Sequence, residues 1–375
     1  MNATPAVPQG KDTAIESALY ISFELGDRAW KLTFSDGRRN PGSYTTAAGD
    51  QAGVLQCIAR AKARCGLPAL AAVHSCYEAG RDGWWLHRWL CQMGVDNIVV
   101  DSASIEVNRR ARRAKSDRLD GHKLLQMLLR HLGGERVWSV LREPSAQDED
   151  ERRVHRELQR LTAECTGHSN RIRALLVLHN LRPAHVGGKP WASWWQAHLA
   201  QVPPRLRAEI EREGQRLELV RTQMRAIEAT QRQELKGQAE VQLLSRLRAI
   251  GVSSAWVLSK ELFGWRRFDN RRQVGASVGL TPTPYDSGNS QREQGIGKSG
   301  NKRVRWLLVE LSWRWLRLQP DSELTHWFER RFASGGKRMR RIGIVALARR
   351  LVVALWRYVQ HGQIPAGATL KTMPA

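Results

Sequence analysis

Apolar residues in this chain recur at two incompatible periods, and the change from one to the other limits what it can fold into. From Ala18 the period is two. Ile21, Phe23 and Leu25 alternate with Tyr20, Ser22 and Glu24, Gly26-Asp27 reads as a turn, and Trp30, Leu32 and Phe34 resume the pattern. Alternation of this kind describes strands, so the segment predicts a β-hairpin with Glu24 near the end of its first strand. A third strand is expected around Ser43 to Thr46, after Asn40-Pro41-Gly42, and an amphipathic helix over 50–64 through Val54, Leu55, Ile58 and Ala59. The apolar run from Ala69 to Val73, leading into Cys76-Tyr77-Glu78-Ala79-Gly80, predicts a buried strand with Glu78 at its C-terminal end. A Trp-rich helix over Gly83 to Met93, a short buried strand over Asn97 to Val100, and a helix capped by Ser116 and starting at Asp117 complete this region.

The resulting order is strand, strand, strand, helix, strand, helix, strand, helix. That succession is the order of an α/β ribonuclease-H-like (RuvC-like) domain, an arrangement in which sites gather at strand ends. Farther along the period lengthens. Val154, Leu158, Leu161, Cys165, His168, Ile172 and Leu175 recur at alternating steps of four and three, as do Leu206, Ile210, Glu213, Leu217, Val220, Met224 and Ile227. These are seams of a coiled coil on helices about 45 Å long. Pro183, Gly187-Gly188, Pro190 and Pro203-Pro204 make the chain turn between them. The two helices form either a hairpin closed on itself or a surface for a second subunit, with His168 and Glu213 setting register or selecting the partner. After Val241, Leu247 to Val252 followed by a helix through Ala255 to Leu262 looks like a helix-hairpin-helix element. Gly279 to Ser299 reads as a Pro, Gly and Ser loop, and mostly helical segments follow over Asn301 to Leu318 and about Ile342 to Val359, the latter after Lys337-Arg338-Met339-Arg340-Arg341.

The expected domains are therefore an arm over 1–17 without periodicity, an α/β domain over 18–145, a helical arm over 146–240 and a mostly α C-terminal domain over 241–375. There are 60 Lys plus Arg against 36 Asp plus Glu, a net charge of +24. A field of this sign favours a polyanionic partner, and nucleic acid is the first candidate. No apolar run is long enough for a membrane span and the first 17 residues lack a signal-peptide core. The five cysteines form no CxxC pair, so neither zinc nor disulfides are indicated and a reducing cytoplasm is expected.

Between Asn108 and Arg118 basic residues crowd around two carboxylates: Arg109, Arg110, Arg112, Arg113 and Lys115 precede Asp117, Arg118 and Asp120. Asp117 and Asp120 are i and i+3 on a helix, so they share a face. Paired carboxylates suit Mg²⁺ acting on phosphodiesters, although acids in a first helical turn also complement the helix dipole. Glu24 and Glu78 lie near the ends of strands that neighbour each other in the expected sheet, which makes four convergent acids. Asp27, Asp82 and Asp101 are substitutes. Cations suited to phosphate contact are Arg109, Arg110, Arg112 and Arg113, and in the C-terminal part Arg292, Lys298, Lys302, Arg303 and Arg305. Exposed tryptophans among the 15 would suit stacking on RNA bases.

Tyr20-Ile21-Ser22-Phe23-Glu24-Leu25, Cys76 to Gly80, Lys115 to Asp120, and Gly279-Leu280-Thr281-Pro282 through Ser287-Gly288 to Lys298-Ser299-Gly300-Asn301 together resemble the insertion-sequence transposases of the one-ten family. The resemblance runs in order from about residue 18 to 320. It implies Mg²⁺ held by Glu24, Glu78, Asp117 and Asp120, and a serine nucleophile, matched here by Ser287, that becomes covalently linked to DNA. It further implies a structured bridge RNA pairing with donor and target DNA, within a dimer or tetramer. The family's first acid is usually Asp, and Glu24 is longer by one methylene; Asp27 is the alternative. Read by itself, Ser287 is a turn residue, and Ser290 and Ser299 compete with it. A serine at its free pKa needs activation, which fits a composite site completed across a domain or subunit boundary.

Three functions follow from these residues and from what the resemblance implies. The first is an RNA-guided DNA transposase or recombinase. The second is a RuvC-type junction endonuclease that uses metal-activated water and needs no serine. The third is a non-catalytic nucleic-acid-binding scaffold whose acids only make salt bridges.

Overall fold

A computed structural model describes residues 18–105, 117–287 and 290–371, with the side chains of residues 103, 117–120, 284–287 and 290–294 left outside that description. The expected arm at 1–17, the arginines Arg109, Arg110, Arg112 and Arg113, and the Ser116 cap lie outside the described residues. The chain divides between Glu143 and Pro144 into two compact units.

The first unit is built on a five-stranded mixed sheet. Its strands are β1 (Leu19–Leu25), β2 (Ala29–Ser35), β3 (Gly42–Ala47), β4 (Val73–Glu78) and β5 (Asp96–Val100), in the spatial order β3-β2-β1-β4-β5. Strands β1, β2 and β3 pair antiparallel, while β1, β4 and β5 run parallel. On one face Leu19, Ile21, Phe23, Trp30, Leu32 and Phe34 pack against helix α1 (Gln51–Cys65) through Val54 and Ile58, and against helix α2 (Trp85–Gln92) through Leu86 and Leu90. On the other, Tyr20, Cys76 and Val100 meet Leu124, Leu125 and Leu128 of helix α3 (Asp117–Leu132). Alternation in the sequence suggests a half-wet hairpin, yet Leu19 to Phe23 are all buried. The polar-looking face is covered by α3, and Ser22 Oγ donates to Gly121 O at 2.8 Å. Strand β4 also starts later than its apolar run suggests: Leu70 is 97% exposed in the turn that follows Pro68, and pairing begins at Val73.

The second unit begins with two long helices, α4 (Ala146–Val177) and, beyond the short helix α5 (Lys189–His198), α6 (Pro204–Glu234). Helix α4 starts on a capping box in which Ser145 and Asp148 satisfy each other's backbone amides. The long helices run antiparallel within the chain, since His168 pairs with Glu213 and Arg171 with Glu209. Ile172, Leu176, Ile210 and Leu217 fill the seam, with Trp195 of α5 closing its end. The remainder comprises α7 (Ala239–Ser245), α8 (Val252–Leu258), α9 (Arg271–Ser277), the antiparallel strands β6 (Pro282–Ser287) and β7 (Ser290–Ile296), α10 (Lys302–Leu318), α11 (Glu323–Phe328) and α12 (Lys337–His361). Leu244, Ile250, Trp256, Leu262, Val274, Leu308, Trp315, Leu351 and Leu355 form its core. Where the sequence reads as a loop from Gly279 to Ser299, the structure has the β6–β7 hairpin. Pro282 and Pro284 are tolerated because a two-stranded ribbon is all edge.

Candidate functional site

The acids of the first unit are placed by strand register. Phe23 pairs with Tyr77 in the parallel β1–β4 ladder, so Glu24 and Glu78 are the next residues on adjacent strands. Phe23 and Tyr77 both point into the core on the α1 and α2 side. Side chains alternate along strands, so Glu24 and Glu78 face the α3 side, with strands about 4.8 Å apart. Helix α3 comes close there. A Cβ on Gly121 would meet Thr33 Oγ1 at 2.5 Å and Glu24 Oε1 at 2.8 Å, so only glycine lets the helix backbone lie against this carboxylate. Asp117 and Asp120 are in the first turn of the same helix, and Asp120 directly precedes Gly121; their side chains lie outside the described residues.

Other charges define the neighbourhood. Lys31, the cross-strand partner of Glu24, approaches it at 3.7 Å. Asp101 follows Val100, which pairs with Glu78. Asp27 sits in the β1–β2 turn, 83% exposed and paired with Arg81, while Asp82 is half-buried beyond β4. Among the described residues no group of three or more metal-ligating side chains occurs. The oxygen donors at this edge suit a hard cation, and the close packing at Gly121 holds one of them in place.

In the second unit Ser287 ends β6 and pairs with Ser290 at the start of β7. Its backbone is therefore at the tip of the hairpin, and its side chain, like that of Arg292, lies outside the described residues. The hairpin base is tightly built. Gly279 has φ +66°, and a Cβ there would lie 1.9 Å from Ser299 O; Gly300 has φ +82°, with Ser277 O at 2.3 Å from the corresponding position. Arg305 donates to Val278 O at 3.0 Å and Ser299 O at 3.2 Å, so this cation braces the hairpin. Arg303 is likewise engaged, bonded to Gln159 of α4. Lys298 and Lys302 are exposed beside the start of α10, where the helix dipole favours an anion.

The sequence profile described as Transposase IS116/IS110/IS902 family matches residues 241–326, which include the hairpin and the whole of α10. The Sinorhizobium fredii protein y4rJ, named as a transposase, is 38% identical over 405 aligned residues covering 99% of this chain and 99% of its own. The chain belongs to the IS116/IS110/IS902 transposase family. A second S. fredii protein named as a transposase, y4qE, is 28% identical over 64% of this chain and 58% of its own. The transposase for insertion sequence element IS1328 of Yersinia enterocolitica is 27% identical over 44% and 49%. Family membership implies DNA transposition, with DNA as substrate. No helix among the described residues of this transposase is long and apolar enough to cross a membrane.

One group in the transposase is invisible to motif reading. Glu261, in the π-helical turn Ser259–Phe263 after α8, is 1% exposed. His155 Nε2 lies 2.8 Å from it, Arg156 donates at 2.7 and 3.0 Å, and Asn301 Nδ2 donates at 2.9 Å. Burial by itself would raise this carboxyl, but the hydrogen bonds from His155 and Arg156 outweigh burial and hold it well below the ordinary carboxylate range. Asn301 also caps α10 through Arg303 N and Val304 N. The Lys298 to Asn301 segment is therefore tied to α4 as well as to the hairpin base. The signal in the sequence is slight: an acid between the apolar groups Trp256-Val257-Leu258 and Leu262-Phe263.

Proposed function

We propose that this transposase is an RNA-guided recombinase whose first unit is a ribonuclease-H-like (RuvC-like) Mg²⁺ site and whose Ser287 is the nucleophile. The observation that carries the reading is the register that sets Glu24 and Glu78 side by side at the C-terminal ends of the parallel strands β1 and β4, on the face where α3 begins. The sheet order β3-β2-β1-β4-β5, antiparallel then parallel, supports the fold. Glu24, Glu78, Asp117 and Asp120 would hold the ion. Bound Mg²⁺ would offset the negative charge that builds on the phosphoryl group during in-line displacement.

In this reading Ser287 Oγ forms a bond to phosphorus as a DNA hydroxyl leaves, and a second DNA hydroxyl later displaces the serine, restoring it. The Ser287 proton must pass to a base or water at the first step and return at the second. Lys298 and Lys302 hold phosphates beside the hairpin. A bridge RNA supplies sequence choice by pairing with donor and target, in a dimeric or tetrameric assembly, and Trp306, 60% exposed on α10, suits base stacking. The antiparallel α4 and α6 pair is read as a coiled coil, supported by its four-three spacing and by the His168 pair with Glu213.

The test combines purified protein, the RNA encoded beside its gene, donor and target DNA, and Mg²⁺. Strand exchange should proceed through a protein–DNA adduct and disappear with Ser287→Ala. Exchange that persists with Ser287→Ala removes the nucleophile assignment, and exchange that persists with Glu78→Gln and without Mg²⁺ removes the metal site.

A further inference from the structure

Helix α12 begins in a way that helix electrostatics disfavours. Its first turn has no acidic residue, and Lys337, Arg338, Arg340 and Arg341 occupy the end where the peptide dipoles already concentrate positive charge. By contrast, α4 opens with Asp148 and Glu149. Residues 336–342 are exposed without a break. Among the described residues no carboxylate pairs with these four cations; the ion pair at this corner joins Arg330 to Glu323 at 4.0 Å.

The stripe to which two of these cations belong sharpens the point. Lys337, Arg341, Ile344, Ala348, Leu351 and Leu355 follow steps of four and three and share one face of the helix. From Ile344 onward that face is buried in the core, at 1% exposure or less. Before Ile344 the same face carries charge and meets solvent, so the helix overhangs the body it packs on. Overhang, unpaired cations on the core-facing side and charge opposed to the dipole all call for an anionic partner.

We propose that this overhanging end of α12 docks on the phosphate backbone of duplex DNA, in its major groove. A helix about 10–12 Å across matches a B-form major groove about 12 Å wide, with phosphates on both walls within reach of Lys and Arg. The A-form RNA major groove is too deep and narrow to take it. This surface rests only on the DNA-acting part of the reading above, not on the serine, the carboxylates or the guide.

Binding of the full-length protein to labelled random-sequence duplex DNA, in EDTA and over a range of salt, tests it. Combining Lys337→Gln, Arg338→Gln, Arg340→Gln and Arg341→Gln should lower the slope of log affinity against log salt by up to about 3.6, since each phosphate contact contributes about 0.9. A control removing four exposed charges around α6, with Arg205→Gln, Arg212→Gln, Arg232→Gln and Lys236→Gln, should change it far less. Equal losses in the two variants overturn the proposal, and an equal loss on A-form RNA duplex overturns the choice of DNA. In the unaltered protein, DNA should protect Lys337 from acetylation, and unchanged reactivity also overturns the proposal. Because this binding is read in EDTA with no strand exchange, this result and the recombination result fail separately.

Discussion

At position 121 a Cβ would sit 2.8 Å from Glu24 Oε1 and 2.5 Å from Thr33 Oγ1, so a methyl group there must push α3 off the sheet or turn the carboxylate away. Gly121→Ala is expected to destabilise by about 1–3 kcal/mol as an overpacked contact, against the helix propensity that alanine would otherwise add. Gly167 of α4 makes the comparison, because a Cβ there meets nothing within 4 Å. Gly167→Ala should gain about 0.5–1 kcal/mol, and thermal unfolding of the two variants reads opposite signs. Glu24→Gln separates a structural from a chemical role at the same contact. Its ion pair with Lys31 is long, at 3.7 Å, and the amide keeps the shape of the carboxylate against Gly121. Near-unchanged melting together with loss of strand exchange by about 100-fold or more is expected if Glu24 holds the metal; full activity would leave it a structural ion pair.

At the scale of elements, the start of α10 joins two tasks in one side chain. Asn301 caps the helix and donates to Glu261 Oε2 at 2.9 Å. Asn301→Ala should cost about 1–2 kcal/mol. Asn301→Asp, normally an equivalent cap, should fail to recover this because it brings a second carboxylate against a buried one; denaturant midpoints that restore the original value would refute the coupling. Elements of this kind explain what the sequence made legible. The first two strands were readable because Ile21, Phe23, Trp30, Leu32 and Phe34 keep strict alternation, and the long helices because their four-three spacing persists over several turns. The β6–β7 hairpin was not, since Pro282, Pro284, Gly295 and Gly297 carry the composition of a loop and its shape is set by contacts at Gly279 and Gly300. The meeting of Glu24 with Glu78 depends on strand pairing that local pattern only implies. Glu261 was hidden for a different reason: His155 and Arg156 lie more than 100 residues away, and an acid in a helix ordinarily reads as solvent-facing.

Across the whole molecule, the same buried carboxylate predicts how stability responds to acid. Glu261 is held well below its ordinary range in the folded protein, and Glu213 is lowered too, by hydrogen bonds from His168 and then Arg216. A carboxylate with a depressed folded pKa binds fewer protons when folded than when unfolded, so stability rises with pH through that interval. The contribution is complete above the unfolded carboxylate value of about 4.3 and is lost progressively as pH falls from there through the folded value. A net charge of +24 at pH 7 adds to the effect, because each carboxylate protonated removes an offset to an already large positive field. Urea midpoints measured from pH 7 to pH 3 at fixed ionic strength should fall steeply below about pH 4.5. Glu261→Gln should lower the pH 7 midpoint by an amount equivalent to about 3–5 kcal/mol, since it leaves Arg156 and His155 facing a buried neutral amide. It should also flatten the acid limb, because the largest titrating contribution is gone. A variant whose acid limb stays as steep as that of the unaltered protein would move the acid sensitivity from this buried cluster to the diffuse charge of the chain, and raised salt, which screens only the diffuse part, would then restore stability at pH 3.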